Sequence, residues 1–152
     1  MENEKTPLYV AFSTQKGGVG KTTFTVLAAS YLYYLKGYDV VVVDCDYPQH
    51  SIAGMRKRDA EMVGEDEDYK RMAYEQFTRL GKKAYPVLCS SPEKAIATAD
   101  EYITAAANVP DIVFFDLPGT VNSEGVINSL SGMDYIFTPI AADKVVLESS
   151  LS

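Results

Sequence analysis

The chain has 152 residues, 47% of them hydrophobic and 23% charged, which is enough apolar material for one core of ordinary size and excludes a disordered or fibrous protein. A formal charge of −7 argues against a surface that as a whole coats DNA or an anionic membrane, although it leaves room for a local basic patch. Two cysteines without CxxC spacing exclude a disulfide scaffold and fit a reducing, cytoplasmic compartment, while the polar start "MENEKTP" and short apolar runs offer neither signal peptide nor membrane span.

Short β-rich runs alternate with helix-length amphipathic stretches, which predicts an α/β fold with a mainly parallel central sheet flanked by helices. The first strand candidate is "LYVAFS" at residues 8–13, and it runs into the glycine-rich "TQKGGVGKTT" at 14–23. The phosphate-loop pattern GxxxxGK[ST] has Gln15 in place of its first glycine, and "GGVGKT" meets the rest. Backbone N–H groups of Gly17, Gly18, Val19, Gly20 and Lys21 suit phosphate oxygens there, at the positive end of the following helix. Lys21 is expected to reach the β- and γ-phosphates, Thr22 to supply a hydroxyl to Mg²⁺ and Thr23 to hydrogen-bond the α-phosphate. The expected cofactors are therefore ATP or ADP with Mg²⁺, and the plain alternative is a glycine turn without a ligand.

"KTTFTVLAASYLYYLKG" at 21–37 has apolar residues at three- and four-residue intervals and predicts a helix ending at Gly37. The strand candidate "DVVVVD" at 39–44 follows. Residues 51–83 are strongly charged, with "RKRD" at 56–59, "EDED" at 65–68 and a helical pattern over 69–83. "RKR" is read as a solvated face in preference to a phosphate or nucleic-acid contact. After a third strand candidate, "AYPVLC" at 84–89, a helix is expected over 92–107, with Ser91 as N-cap and Pro92 at its first position. "DIVFFD" at 111–116 and "DYIFTP" at 134–139 complete five strands, nearly all apolar, as strands covered on both faces should be.

"KGGVGKTT" resembles the deviant Walker A motif of the ParA/MinD family of P-loop ATPases, in which a lysine stands near the start of the loop; Lys16 falls on that position. The resemblance implies a three-layer P-loop NTPase fold and a division of labour between two lysines. Lys21 would grip its own nucleotide, and Lys16 would reach across a face-to-face dimer to the partner's phosphates, much as an arginine finger does. "VVVVDCDYPQ" resembles the family's second motif, placing Asp44 and Asp46 at a strand's C-terminal end, where ligands of open α/β sheets sit. Asp46 would position the attacking water and Asp44 would support Mg²⁺ through water. "DIVFFDLPG" resembles Walker B, with Asp116 holding a Mg²⁺-bound water and Gly119 offering a backbone N–H toward the γ-phosphate. For each aspartate the simpler alternative is a cap on the next turn. "MDYIFTPIAADKVVLESS" also resembles the family, whereas residues 54–86 carry no resemblance.

Within the family the combination is most similar to ParA-like proteins of conjugative transposons. Two departures stand out: Tyr47 is an extra residue before Pro48, and the sequence stops within the helical pattern "VVLESSLS", where family members continue. Residues 1–152 are accordingly expected to be a single P-loop ATPase domain, the N-terminal part of a longer ParA-like chain. The implied partners are a second copy in an ATP-dependent homodimer, a protein that stimulates hydrolysis, and DNA through the C-terminal part, with no membrane-targeting helix evident. The implied function is ATP hydrolysis, with Lys16, Lys21 and Asp46 catalytic, that positions or partitions DNA or the transfer complex of a mobile element. The alternative is a nucleotide-dependent binding module with little turnover. Cys45 and Cys89 do not match the ligand positions of a subunit-bridging iron–sulfur cluster, and His50 is given no catalytic role.

Overall fold

The computed structural model describes residues 4–13, 20–46, 50–118 and 124–138. Five strands, β1 (Leu8–Phe12), β2 (Val40–Asp44), β3 (Val87–Cys89), β4 (Ile112–Asp116) and β5 (Tyr135–Phe137), form one sheet in the order β3-β2-β4-β1-β5. All four pairings are parallel. The helices in chain order are α1 (Lys21–Ser30), α2 (Ser51–Glu65), α3 (Glu67–Leu80), α4 (Ala95–Ala105) and α5 (Glu124–Ser131). None among the described residues is long and apolar enough to cross a membrane.

The four valines of β2 are stiff at χ1 and fit a pleated, covered strand, and every residue of that strand is buried. Period-two alternation sends them to two layers. Val40 and Val42 join Val10, Phe114, Ala29 and Ile52 in the core under α1 and α2, and Val41 and Val43 join Ala11, Val113, Phe115, Ala95 and Ala99 in the core under α4. α5 completes that second layer through Leu130, and it is tied to the turn before α4 by a hydrogen bond from the Ser129 hydroxyl to the Pro92 carbonyl.

The expected helix over 21–37 is α-helical only to Ser30 and continues as a π-helical turn, Tyr31–Leu35, before Gly37 leaves it at φ 77°. The wider turn brings both Tyr33 and Tyr34 against Tyr85, with ring centroids 5.6 and 6.0 Å away. Tyr85 is buried in that cluster, and strand β3 begins only at Val87, two residues beyond it. Over 92–107 the first turn is a 3-10 turn, Pro92–Lys94, and the α-helix ends at Ala105. Ser91 precedes that turn without a side-chain capping bond, and its carbonyl accepts from the Lys94 N–H.

Candidate functional site

Strands β1, β2 and β4 finish side by side, so that Phe12 and Asp44 both lie in register with Asp116 at the carboxyl edge of the sheet. This is the edge at which open α/β sheets bind ligands. The chain enters α1 through Gly20, whose φ of 77° is left-handed and strained for any L side chain. Among the described residues no side chain caps α1 and no carboxylate stands in its first turn. The leading N–H groups of such a helix and the positive end of its dipole suit an anion.

Lys21, the first residue of α1, turns inward instead of toward solvent. Its Nζ lies 2.7 Å from Asp116 Oδ1, and the side chains are 8% and 0% exposed. The Thr22 hydroxyl donates to the other carboxylate oxygen at 2.9 Å. Burial pushes the Asp116 carboxyl above its ordinary range, the Lys21 charge and the two hydrogen bonds pull it back, and neighbouring Asp44 pushes it up again. Thr25, also fully buried, donates to the Lys21 carbonyl at 2.9 Å and steadies the turn. Thr23 is exposed at the same helix end.

Asp44 is fully buried and its oxygens are engaged by backbone. Oδ2 accepts from the N–H groups of Ile52 and Ala53 at 3.0 and 3.1 Å, and Oδ1 accepts from Asp46 at 3.2 Å. It therefore caps the start of α2, the simpler alternative that the sequence allowed. Asp46 is partly exposed at the same edge, and its carbonyl accepts the His50 N–H at 2.8 Å. His50, for which no catalytic role is expected, precedes α2 at φ 45°, a left-handed position rare for a non-glycine residue. Its Nδ1 is 3.1 Å from the Asp44 carbonyl oxygen and 3.8 Å from Asp44 Oδ1, so it braces the strand end from the α2 side. Its place directly after the Asp-x-Asp segment was the only signal in the sequence. Cys45, between the two aspartates, is buried, and burial beside Asp44 and Asp116 pushes its thiol up to about 12, which keeps it a neutral thiol.

Of the expected site residues, Gly20, Lys21, Thr22, Thr23, Asp44, Asp46 and Asp116 converge on this edge. Lys16, Gly17, Gly18, Val19, Tyr47 and Gly119 lie outside the described residues. Among the described residues no group of three or more His, Cys, Asp or Glu side chains is arranged to hold a metal. One buried carboxylate with a threonine hydroxyl fits instead a hard cation held mainly by phosphate oxygens and water, the manner in which Mg²⁺ is usually bound. Of the basic run at 56–58, Arg56 turns back into the fold: it donates to the Tyr85 carbonyl at 2.7 Å and lies 4.7 Å from the ring centroid, whereas Lys57 and Arg58 are exposed.

Comparison with known proteins agrees with this architecture. The fold is similar to that of a plasmid partition protein from Borrelia burgdorferi, with a TM-score of 0.62 at 20% identity, covering 95% of this chain and 69% of that one. It is also similar to a Borrelia burgdorferi B31 protein assigned to plasmid partition and bound to AMPPNP, with a TM-score of 0.59 at 20% identity, covering 95% and 67%. In sequence, 85 residues are 36% identical to the uncharacterized protein BBD21 of Borreliella burgdorferi. That match takes in 55% of this chain, which spans about a third (34%) of the relative's length. Residues 10–142 match the CobQ/CobB/MinD/ParA nucleotide binding domain, and the chain belongs to that family.

Proposed function

We propose that the chain binds MgATP at the Gly20–Asp116 edge and acts as a ParA-type ATPase whose nucleotide state positions DNA or a DNA-transfer complex. The observation that carries this reading is the buried Lys21–Asp116 pair with Thr22 on the second carboxylate oxygen, set at the start of α1. An ammonium held this way is already desolvated and needs only to swing from carboxylate to phosphate, and the carboxylate it leaves is then free for a water on the metal. Bound nucleotide with Mg²⁺ would supply the phosphoryl group and the charge that stabilises its transfer.

In this reading Lys16 to Thr23 form a deviant Walker A loop, with Lys16 serving the nucleotide of a second copy. Asp46 aligns water, and Asp44 supports the metal's water shell while keeping its hold on α2. The similarity to partition proteins supports a DNA-positioning role over metabolic phosphoryl transfer. The narrower assignment to the ParA-like proteins of conjugative transposons, and the view of residues 1–152 as the N-terminal ATPase part of a longer chain, belong to the same proposal.

Calorimetric titration of MgATP into wild type and Lys21→Ala, each checked for native circular dichroism, tests it. Loss of the charge-assisted phosphate contact should weaken binding by about 2–3 kcal/mol, roughly 30- to 150-fold. Equal affinity for the two folded proteins would overturn the assignment.

A further inference from the structure

We propose that α3 is a self-association surface, through which two copies of this chain pair antiparallel about a two-fold axis without nucleotide. α3 is strongly amphipathic in sequence, yet none of its 14 residues is buried. It packs on α2, and Ala73, Phe77 and Leu80 are its partly covered residues. A second stripe, Tyr69, Met72, Gln76 and Arg79, follows the 3-4-3 spacing of a coiled-coil seam, and all four residues are exposed. Tyr69 is 47% exposed and Met72 is 59% exposed. Met72, Glu75, Gln76 and Arg79 line a cleft of about 420 Å³ to which no other element among the described residues contributes a wall.

The charge along the helix selects the occupant. Residues 65–71 hold four carboxylates and two cations, whereas residues 76–83 hold three cations and no carboxylate. A second copy laid antiparallel, with the axis near residue 74, sets Met72 against Gln76, Tyr69 beneath the guanidinium of Arg79, and the acidic start of each helix against the basic end of the other. A parallel arrangement would oppose like charges at both ends. The antiparallel pair satisfies the self-complementarity that a two-fold interface requires, with Gln76 as the polar position that fixes register and Arg79 over Tyr69 as a cation–π contact. Glu75 flanks the seam one turn from Arg79 on its own helix, where spacing lets the two pair. A helix of this length runs about 21 Å. Two of them bury less than the roughly 1,200 Å² of a standard interface, so the dimer is weak.

The test is sedimentation equilibrium of the nucleotide-free chain up to about 300 µM, a range suited to an interface below standard size. Wild type should show a monomer–dimer equilibrium whose dissociation constant rises about tenfold or more from 0.05 to 0.5 M salt, as screening removes the end-to-end attraction. Glu65→Lys/Asp68→Lys and Arg79→Glu/Lys83→Glu alter only exposed side chains and leave the fold intact. Each variant alone should be monomeric, and an equimolar mixture should regain the dimer because both ends then match. A wild type that stays monomeric throughout, or reversed variants that dimerise as well as wild type, would overturn the proposal. The absence of nucleotide keeps this result separate from the ATP-dependent pairing proposed above.

Discussion

The carboxylate of Asp116 lies at the bottom of the site with no exposed surface, and its charge is answered by one ammonium and one hydroxyl. Removing a single member of a buried ion pair typically costs about 3–5 kcal/mol, because the survivor is left charged and dry. Lys21→Met should therefore destabilise the fold by about that amount near neutral pH and push the Asp116 carboxyl still higher. The sign of the pH dependence follows. A carboxyl raised in the folded state above its ordinary 3.8 disfavours folding once it must ionise, so Lys21→Met is relatively most stable below about pH 4. Its stability should then fall as pH rises through the raised value. Urea unfolding from pH 3 to 8 measures this slope, and adding Asp116→Asn to the same chain should abolish it. A Lys21→Met slope equal to that of the double variant would mean that the Asp116 carboxyl titrates alike in the folded and unfolded chains and is not raised by burial.

Among the elements, β2 and β5 mark the extremes of burial in the sheet. Val42, on an interior strand, is fully buried, whereas all three residues of the edge strand β5 are exposed, with Tyr135 56% exposed. Val42→Ala should cost about 2 kcal/mol in chemical denaturation through lost transfer energy and a residual cavity. Tyr135→Ala should cost under about 1 kcal/mol; equal losses would mean that the edge strand is as well packed as the interior one. The same contrast explains what could be read in advance. The runs around Val40, Ile112 and Leu8 announce strands because burial on both faces leaves them wholly apolar, and the chemistry of GKT and of the strand-end aspartates is local in sequence. α2 was hidden because its charged outer residues drown a face that buries only Ile52. The π-helical turn at Tyr31–Leu35 arises from packing of Tyr33 and Tyr34 on Tyr85, about fifty residues away, which no local pattern encodes. Asp44 as the cap of α2 depends likewise on where that helix starts in space.

At the scale of the whole molecule the candidate chemistry gathers on one edge of the sheet, and the residues there divide by the partner each would serve. Lys21 is committed to its own chain by its pairing with Asp116. For a second lysine five residues earlier, Lys16, the trans role proposed above makes turnover conditional on a second copy. In a chain first shown to bind MgATP, Lys16→Ala should bind nucleotide nearly as wild type does yet lose about 10³-fold or more in turnover, the usual consequence of removing a trans-acting cation from phosphoryl transfer. Asp46→Ala should behave differently, retaining both nucleotide and the ATP-dependent dimer but failing to align water, so that the ATP-bound dimer accumulates. Phosphate release measured alongside mass in solution separates the two. Normal hydrolysis by Lys16→Ala, or wild-type turnover per subunit that stays constant on dilution into a monomeric regime, would show that each copy completes its own site and that the second lysine is a surface residue.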